Sequence, residues 1–276
     1  MSQRTPSATR VPSDPATVSG RAADGAGDPA AFPRNDSRTF ANDGDTLRFC
    51  STCAFSQACL AEGMDKSGLA DLHMLVEHIG PFREGEHIFR EGDPFEAIAA
   101  VRAGTVKTYI VDRDGREHVL GFHLPGEVIG LNAIDGDHYP CNAVALDTVM
   151  LCRFSFPRIS VLATQLPGLQ RHLFRLMSRD ISRAALHAGD WSADQRMAAF
   201  LIGLSRRLAA RGFSPTRFQL TMARTDIANY LRLAPETVSR VLRRFQRDGL
   251  LQVDRRELEL TDPPRLQALA APVLRS

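Results

Sequence analysis

The chain has 276 residues, more than one average domain holds, so its length predicts two folded units joined by a connector. Its composition, 43% hydrophobic and 24% charged, is ordinary for a globular protein. We find no apolar run of about 18 residues, as a membrane-spanning helix needs, and no apolar stretch of a secretory signal. The sequence therefore predicts a cytoplasmic protein without a membrane partner. The net charge of +2 conceals an asymmetry, because residues 193–276 hold 15 Arg against 8 Asp and Glu, and such a basic part is typical of a unit that meets a polyanion such as nucleic acid.

The first 48 residues are rich in Ala, Ser, Pro, Gly, Asp and Arg and contain few large apolar side chains. Such a segment buries too little surface to offset the entropy of ordering, so we expect residues 1–48 to form a disordered tail. A targeting peptide is the alternative, but six aspartates in this stretch are atypical of an acid-poor transit sequence.

Three cysteines follow the tail at the spacing C-x2-C-x5-C: Cys50, Cys53 and Cys59. Three thiols in one short polar segment are typical of a metal site, whereas disulfides are rare in a reducing cytosol. A fourth thiolate would come from far along the chain, where Cys141 and Cys152 are the two other cysteines. Four thiolates serve zinc or an iron–sulfur cluster, and ligand number alone does not choose between them. Zinc sites usually consist of two C-x2-C pairs, so three ligands in one loop favour a cluster.

Short β-favouring runs extend from Pro81 to about Phe156. They predict strands at 87–89, 97–101, 106–111, 118–122 and 144–154, and Gly, Pro and Asp residues mark the turns between them. Short strands at close intervals, with no long helical pattern between them, predict an antiparallel barrel or jelly roll rather than a parallel α/β fold.

One long amphipathic helix is predicted after Pro167, because apolar residues recur at spacings of mostly three or four as far as Gly189. This helix can pack against its own barrel or form a two-stranded contact between protomers. Because it connects the barrel to the basic C-terminal part, we favour a homodimer, with contact residues Leu169, Leu173, Leu176, Met177, Ile181 and Ala184.

The C-terminal part has the element order of a winged helix-turn-helix. The pattern predicts a helix at about 193–211, a short strand at 218–220, helices at about 222–231 and 235–248 separated by a tight turn, and a β-hairpin across 251–253 and 257–260. The expected fold class is therefore α+β, with an antiparallel barrel or double-stranded β-helix (jelly-roll) domain, a long dimerisation helix and a C-terminal winged helix-turn-helix.

The second helix of the helix-turn-helix carries the residues expected to read double-stranded DNA. Pro235 suits the first helical position because it lacks an N–H and has a helix-compatible φ. Spacings of three and four then place Glu236, Ser239 and Arg240 on one face, with residues 238, 241, 242 and 245 toward the core. In the major groove a carboxylate accepts from cytosine and a guanidinium donates twice to guanine, while the Ser239 hydroxyl reaches a base edge or a phosphate.

Further residues of this helix are also expected to contact DNA, and the arginines among them are expected to add affinity with little sequence preference. Thr237 would reach a base edge or a phosphate, and the later arginines would contact phosphates: Arg243, Arg244 and Arg247. The alternative for Glu236 and Arg240 is an ion pair four residues apart on a solvated face. The surrounding helix-turn-helix pattern makes that alternative the less favoured one.

Together these patterns resemble those of the FNR-type regulators (fumarate and nitrate reductase regulators), which are oxygen sensors of the CRP/FNR superfamily. The resemblance covers residues of about 48–265. It rests on the cysteine spacing and on the motifs Gly121-Phe122-His123-Leu124, Ala145-Leu146-Asp147-Thr148, Arg211-Gly212-Phe213-Ser214-Pro215, Leu220-Thr221-Met222 and Glu236-Thr237-Val238-Ser239-Arg240. The combination is far more specific than any one motif.

The resemblance implies a 4Fe-4S cluster held by Cys50, Cys53, Cys59 and Cys152, with Cys141 outside the ligand set. It implies a dimer that the cluster favours without oxygen, and whose DNA binding oxygen weakens. The implied DNA site is a palindrome similar to TTGAT, four spacer bases and ATCAA, and RNA polymerase is a partner by family resemblance alone. The expected domains are a tail (1–48), a cluster-binding segment and β-roll sensor domain (49–166), a dimerisation helix (167–190) and a DNA-binding domain (191–276).

Cyclic-nucleotide binding in the barrel is the rival function within the superfamily. A cyclic phosphate needs a cation, and no Lys or Arg occurs from Glu117 to Cys152, so we expect no cyclic nucleotide. A regulator with a structural Zn(Cys)4 site or with haem as its sensor would replace the iron–sulfur cluster, but haem leaves the three N-terminal cysteines without a role. No hydrolase, kinase, P-loop or dinucleotide motif occurs in its required context, so we expect a regulator rather than an enzyme.

Overall fold

The computed structural model of the protein describes residues 59–62, 64, 66–185 and 189–274. Within these ranges a β-roll is followed by two helices and by a C-terminal unit of helices with a small sheet. The tail expected at 1–48 and the cysteines Cys50 and Cys53 lie outside the described residues.

Two four-stranded antiparallel sheets form the β-roll, and helix α1 (Lys66–His73) precedes them. The strands are β1 (Val76–Phe82), β2 (His87–Phe89), β3 (Ala97–Ala103), β4 (Val106–Val111), β5 (Glu117–His123), β6 (Val128–Ile129), β7 (Asn142–Ala145) and β8 (Val149–Ser155). Their order is β1-β8-β3-β6 in one sheet and β2-β7-β4-β5 in the other. The core contains residues of both sheets, and in it the rings of Phe89 and Tyr139 stack at 4.0 Å.

Most strands lie where the sequence predicts them, and one prediction is wrong. Strands β2 and β4 have the predicted bounds, but the single strand expected across 144–154 is two strands, because residues 146–148 turn between β7 and β8. Asp147 stabilises this turn by accepting a hydrogen bond from the Thr105 N–H at 2.7 Å. The two strands consequently enter different sheets.

Two consecutive helices follow the β-roll: α2 (Phe156–Gln165) and α3 (Pro167–Ala185). Helix α3 begins at the predicted residue, while the last predicted positions, 186–188, lie outside the described residues. The sequence pattern did not predict α2, which packs on the β-roll through Ile159, Leu162 and Ala163. Leu169 of α3 lies in the same apolar cluster, so both helices are anchored on the β-roll.

The C-terminal unit has the predicted winged helix-turn-helix order. Its helices are α4 (Ala193–Ala209), α5 (Arg224–Tyr230), α6 (Pro235–Arg247) and α7 (Pro263–Ala270), and its strands β9 (Arg217–Gln219), β10 (Leu251–Asp254) and β11 (Glu257–Leu260) form a sheet in the order β10-β11-β9. Ser192 caps α4 in a capping box with Gln195. The turn between α5 and α6 is tight because Arg232 adopts a left-handed conformation with φ 54°.

The β-roll and the C-terminal unit share one apolar core. The ring of Phe122 on β5 lies 5.3 Å from that of Tyr230 and 6.2 Å from that of Phe200, between ring centroids. Beside this core, Lys107 Nζ on β4 lies 3.0 Å from Asp226 Oδ1 on α5. These contacts orient the helix-turn-helix relative to the β-roll.

Candidate nucleic-acid interface and cysteine site

Helix α6 has one apolar face and one polar face. It begins at Pro235, as predicted, and its apolar face packs into the core of the C-terminal unit through Val238, Val241, Leu242 and Phe245. The opposite face carries Glu236 and Arg240, both exposed, with Ser239 half-buried. An exposed carboxylate and guanidinium in the first turns of such a helix are groups that contact base edges in a major groove.

Glu236 and Arg240 do not pair with each other. Arg240 Nη2 donates to Thr237 Oγ1 at 3.0 Å, and in the part of the chain that the structure describes the ion pairs of α6 are made by other residues. The Glu236–Arg240 ion pair, which was the alternative to DNA contact for these two side chains, is therefore not formed in this structure.

The three later arginines of α6 differ in their partners. Arg244 pairs with Asp194 of α4, and Arg247 Nε lies 3.4 Å from Asp248 Oδ1. Arg243 is exposed and has no carboxylate partner among the described residues. A phosphate can therefore reach Arg243 without displacing an ion pair.

A further arginine, which sequence reasoning missed, lies in the first turn of α5. Arg224 is half-buried, its Nη1 has no hydrogen-bond partner among the described residues, and burial lowers its pKa. The first helix of a helix-turn-helix crosses the DNA backbone, which makes Arg224 a candidate phosphate contact. The signal in the sequence was its place near the start of the first helix of the predicted helix-turn-helix, at about 222–231.

Cys59 and Cys152 contact the same apolar cluster from distant parts of the chain. Cys152 lies on β8, opposite His78 of β1 and Ala100 of β3, and its Sγ is 3.5 Å from His78 Nδ1. Cys59 lies ahead of α1. Both thiols are half-buried and pack against one set of buried residues, which includes Leu60, Leu72, Ile98, Phe154 and Ile159.

Cys141 belongs to a different environment. It is 1% exposed, in the core between the two sheets, and its Sγ accepts a hydrogen bond from Asn132 Nδ2 at 3.4 Å. Burial raises the pKa of its thiol. A buried, protonated thiol behaves as a small apolar side chain.

Glu62 connects the turn after Cys59 to helix α3. The Glu62 N–H donates to the Cys59 carbonyl at 3.0 Å. Its carboxylate lies 2.9 Å from Arg175 Nη1 and 3.5 Å from His172 Nδ1. Because burial lowers the pKa of His172, the ion pair of Glu62 is the one with Arg175. A movement of the turn that carries Cys59 therefore acts directly on α3.

Helix α3 leaves a stripe of apolar side chains unburied. Ile181 is 72% exposed, and Phe174, which was not among the predicted contact residues, is 62% exposed. Met177 lies between them and is half-buried. Spacings of three and four place these residues on one face, the α3 stripe: Phe174, Met177 and Ile181.

The other predicted contact residues of α3 turn toward their own protomer. Leu169 is fully buried in the cluster that Cys59 and Cys152 contact, and Leu173 and Leu176 pack against it while half-buried. This packing is the alternative that the sequence left open for the helix. The side chain of Ala184 lies outside the described residues.

A complete metal site is not contained in the described residues. Across 59–62, 64, 66–185 and 189–274, no group of three or more His, Cys, Asp or Glu side chains is placed to hold a metal ion. The predicted ligand set includes Cys50 and Cys53, which lie outside these ranges, so it stays a prediction. Nor does any helix within these ranges have the length and apolar character required to cross a membrane.

Two family models match the chain, a cyclic nucleotide-binding domain at residues 80–164 and a Crp-like helix-turn-helix domain at residues 195–269. The transcriptional activator protein anr of Pseudomonas aeruginosa is 43% identical over 224 residues, which is 80% of this chain and 92% of the relative. The chain belongs to the CRP/FNR family. The fumarate and nitrate reduction regulatory protein of Escherichia coli K12 is 39% identical over 224 residues, covering 80% of this chain and 90% of the relative. The solved structure of FixK2 from Bradyrhizobium japonicum has a TM-score of 0.65 and 30% identity, covering 71% of this chain and 98% of its own.

Membership in the CRP/FNR family confirms the predicted α+β fold of β-roll, long helix and winged helix-turn-helix. The protein is accordingly a CRP/FNR transcription regulator, of a family that binds DNA through its helix-turn-helix and typically dimerises. Both of these relatives carry the names of regulators. Which residues contact DNA, metal or a second protomer stays a prediction.

Proposed function

We propose that the protein is an oxygen-responsive transcription activator that carries a 4Fe-4S cluster on Cys50, Cys53, Cys59 and Cys152 and binds DNA as a homodimer. The observation that carries this proposal is the packing of Cys59 and Cys152 against one apolar cluster, beside a turn that contacts α3. The names of the relatives, a transcriptional activator and a fumarate and nitrate reduction regulatory protein, support the same function. We place the regulator in the cytoplasm, where cysteine thiols stay reduced.

The donor set fits an iron–sulfur cluster. The two described cysteines are half-buried thiols on one apolar cluster, and soft thiolates are the ligands that such clusters take. An iron–sulfur cluster supplies reactivity toward oxygen, whereas a Zn(Cys)4 site supplies none because zinc has no redox chemistry. Haem sensing would leave the cysteines without a role.

Contacts of the chain itself link the cysteine segment to the proposed dimer contact. The Glu62 backbone N–H donates a hydrogen bond to the Cys59 carbonyl, and the Glu62 carboxylate forms an ion pair with Arg175 of α3. Arg175 is adjacent in sequence to Phe174 of the α3 stripe. A displaced Cys59 turn would thus change how α3 presents its stripe. Two protomers would associate through this stripe in a two-stranded contact.

In the dimer the two α6 helices would enter adjacent major grooves, one helical turn apart. Glu236, Ser239 and Arg240 would read a palindrome similar to TTGAT, four spacer bases and ATCAA. Thr237 would contact a base edge or a phosphate, and the later arginines would hold phosphates. RNA polymerase is the proposed partner for activation, by family resemblance.

We propose that the β-roll binds no cyclic nucleotide, although it matches the family model for such domains. Stacked rings of Phe89 and Tyr139 occupy its core. Lys107 of β4 is 8% exposed and pairs with Glu117 and Asp226, each at 3.0 Å. A cyclic phosphate placed in this core would lack a cation, which is energetically costly.

Two single substitutions test the ligand set. Cys152→Ala should abolish the cluster absorbance of anaerobically purified protein, because Cys152 supplies the fourth thiolate. Cys141→Ala is the matched control and should retain the absorbance, since Cys141 lies in the other core. Loss of the cluster in Cys141→Ala but not in Cys152→Ala would overturn the assignment.

A second pair of substitutions tests the DNA contacts. Arg240→Ala should lose about 1–3 kcal/mol of discrimination at one base pair of the palindrome, the usual contribution of a bidentate base contact. Arg243→Ala, on the same helix, should instead weaken binding to all sequences alike. Binding titrations with single base-pair variants measure both. Uniform weakening by Arg240→Ala would assign that residue to a phosphate.

A further inference from the structure

A half-open cleft of about 790 Å³ lies between α3 and the C-terminal unit. Its walls come from α3, α4, the end of α5 and residues 273–274 after α7. The volume falls within the roughly 300–1,000 Å³ of small-molecule sites. The cleft contains neither the cysteines nor any residue of α6.

The lining of this cleft is strongly basic. Of the described residues that line it, five are arginines and none carries a carboxylate. Two of the arginines pair with carboxylates outside the cleft: Arg175 with Glu62 at 2.9 Å, and Arg207 at 2.5 Å with the buried Glu127, which Arg211 also contacts at 3.0 Å. The other three arginines leave the cleft with a net positive charge.

These three arginines have no carboxylate partner among the described residues. Arg196 donates to three backbone carbonyls, at 3.0 to 3.3 Å, which fix its guanidinium but do not neutralise it. Arg179 on α3 and Arg206 on α4 are both exposed. Three uncompensated positive charges around one concave site favour an anion with several negative charges, and guanidinium groups match phosphate geometry.

The floor of the cleft is apolar and partly aromatic. Leu204 and Leu231 are buried there, and the rings of Phe200 and Tyr230 lie 5.9 Å apart between centroids at an interplanar angle of 59°. Aromatic side chains bind flat rings such as nucleobases by stacking. A fitting ligand therefore combines an aromatic ring with a polyanionic group.

The cleft and the α3 stripe use different faces of the same helix. Arg175, Ser178, Arg179 and Ser182 line the cleft. At about 100° per residue, their mean direction is roughly 120° around the helix from that of the α3 stripe. A second protomer seated on the stripe consequently leaves the cleft free for another ligand.

We propose that this cleft binds a nucleoside triphosphate, with the phosphates held by Arg179, Arg196 and Arg206 and the base against Phe200 and Tyr230. Because its walls belong to α3 and to the C-terminal unit, the bound ligand fixes the arrangement of one relative to the other. This site is distinct from the core of the β-roll, and the proposal does not depend on a metal cluster.

Isothermal titration of the full-length protein with ATP, GTP, CTP and UTP tests the proposal, with pyrophosphate and cyclic AMP for comparison. We expect saturable binding of at least one triphosphate, with one site per chain. Its Kd should be at least about tenfold lower than those of pyrophosphate, which lacks the ring, and of cyclic AMP, which carries a single charge. No saturable binding of any triphosphate, or pyrophosphate binding as tightly, would overturn the proposal.

Two charge-matched double variants locate the binding. Arg179→Ala/Arg206→Ala should raise the triphosphate Kd at least about tenfold for each residue, since tenfold corresponds to about 1.4 kcal/mol, near the low end for a hydrogen bond to a charged group. Arg243→Ala/Arg247→Ala removes the same charge from α6 and should leave the Kd unchanged. An equal loss in the α6 variant places the nucleotide on the DNA-reading face. If the cleft variant retains nucleotide binding but loses the dimer in sedimentation, the cleft is a contact with a second protomer. Each of these two results would overturn the proposal.

Discussion

Replacing Ile181 with alanine should weaken the dimer while leaving the protomer folded. The side chain is 72% exposed, so its truncation removes little packing within the protomer. Fully burying an isoleucine side chain contributes about 1.5–3 kcal/mol, so the exposed fraction amounts to about 1–2 kcal/mol in each protomer. A two-fold contact counts this change twice. The resulting loss of about 2–4 kcal/mol raises the dimer Kd roughly 30- to 700-fold.

Sedimentation velocity over a concentration series, with anaerobically prepared protein, measures this dimer Kd. Val161→Ala is the matched control, because Val161 is 59% exposed on α2 and lies outside the α3 stripe. A dimer Kd that Ile181→Ala leaves unchanged, or that Val161→Ala raises by the same factor, would refute the proposed contact.

Three further predictions concern packing, signal transmission and DNA contact. Phe245→Ala should lower the free energy of unfolding by about 3–5 kcal/mol, because its ring is 2% exposed in the core of the C-terminal unit; an unchanged urea midpoint would contradict this packing. Glu62→Gln should leave the iron content unchanged and raise the dimer Kd about two- to thirtyfold, since a partly exposed ion pair contributes about 0.2–1 kcal/mol in each of the two protomers. Loss of iron would make Glu62 part of the metal site instead. Arg224→Met should raise the thermal unfolding midpoint, because it removes a half-buried cation whose Nη1 lacks a partner among the described residues, and should lower the salt slope of DNA binding by about 1; an effect at a single base pair would exclude a phosphate contact.

Periodicity alone was sufficient to predict the elements that have one apolar and one polar face. In α6 the apolar residues recur every three or four positions, so the sequence predicts both the helix and its buried face, including Val238 and Phe245. The same signal is weaker in α2. Its first residues, Phe156-Pro157, have the pattern of a strand end followed by a turn, although proline also suits the first turn of a helix.

The sequence did not predict which apolar residues of α3 are buried in their own protomer and which are exposed. Spacing groups Leu169 and Ile181 on one helix, but only the three-dimensional packing shows that the first is buried in its own protomer while the second is exposed. Phe174 lies three residues before Met177, so its spacing fits the α3 stripe, but the sequence pattern followed its neighbour Leu173, which is four residues after Leu169.

Residue spacing likewise predicted only part of the candidate sites, because the rest depends on contacts between residues that are far apart in the chain. The C-x2-C-x5-C spacing predicts a metal segment by itself, yet the fourth ligand came only from the resemblance, since nothing local to Cys152 distinguishes it from Cys141. The structure separates the two by placing them in different cores. Long-range pairs such as Glu62 with Arg175 leave no trace in residue spacing, because each partner is an ordinary surface charge in its own segment.

Iron and acid-labile sulfide content, measured with a visible spectrum on protein purified without oxygen and then exposed to air, tests the proposed sensor most directly. We predict about four of each per chain, the stoichiometry of a four-cysteine cubane cluster, and absorbance that bleaches in air. Zinc without visible absorbance would contradict the cluster and leave a DNA-binding regulator with a structural metal site.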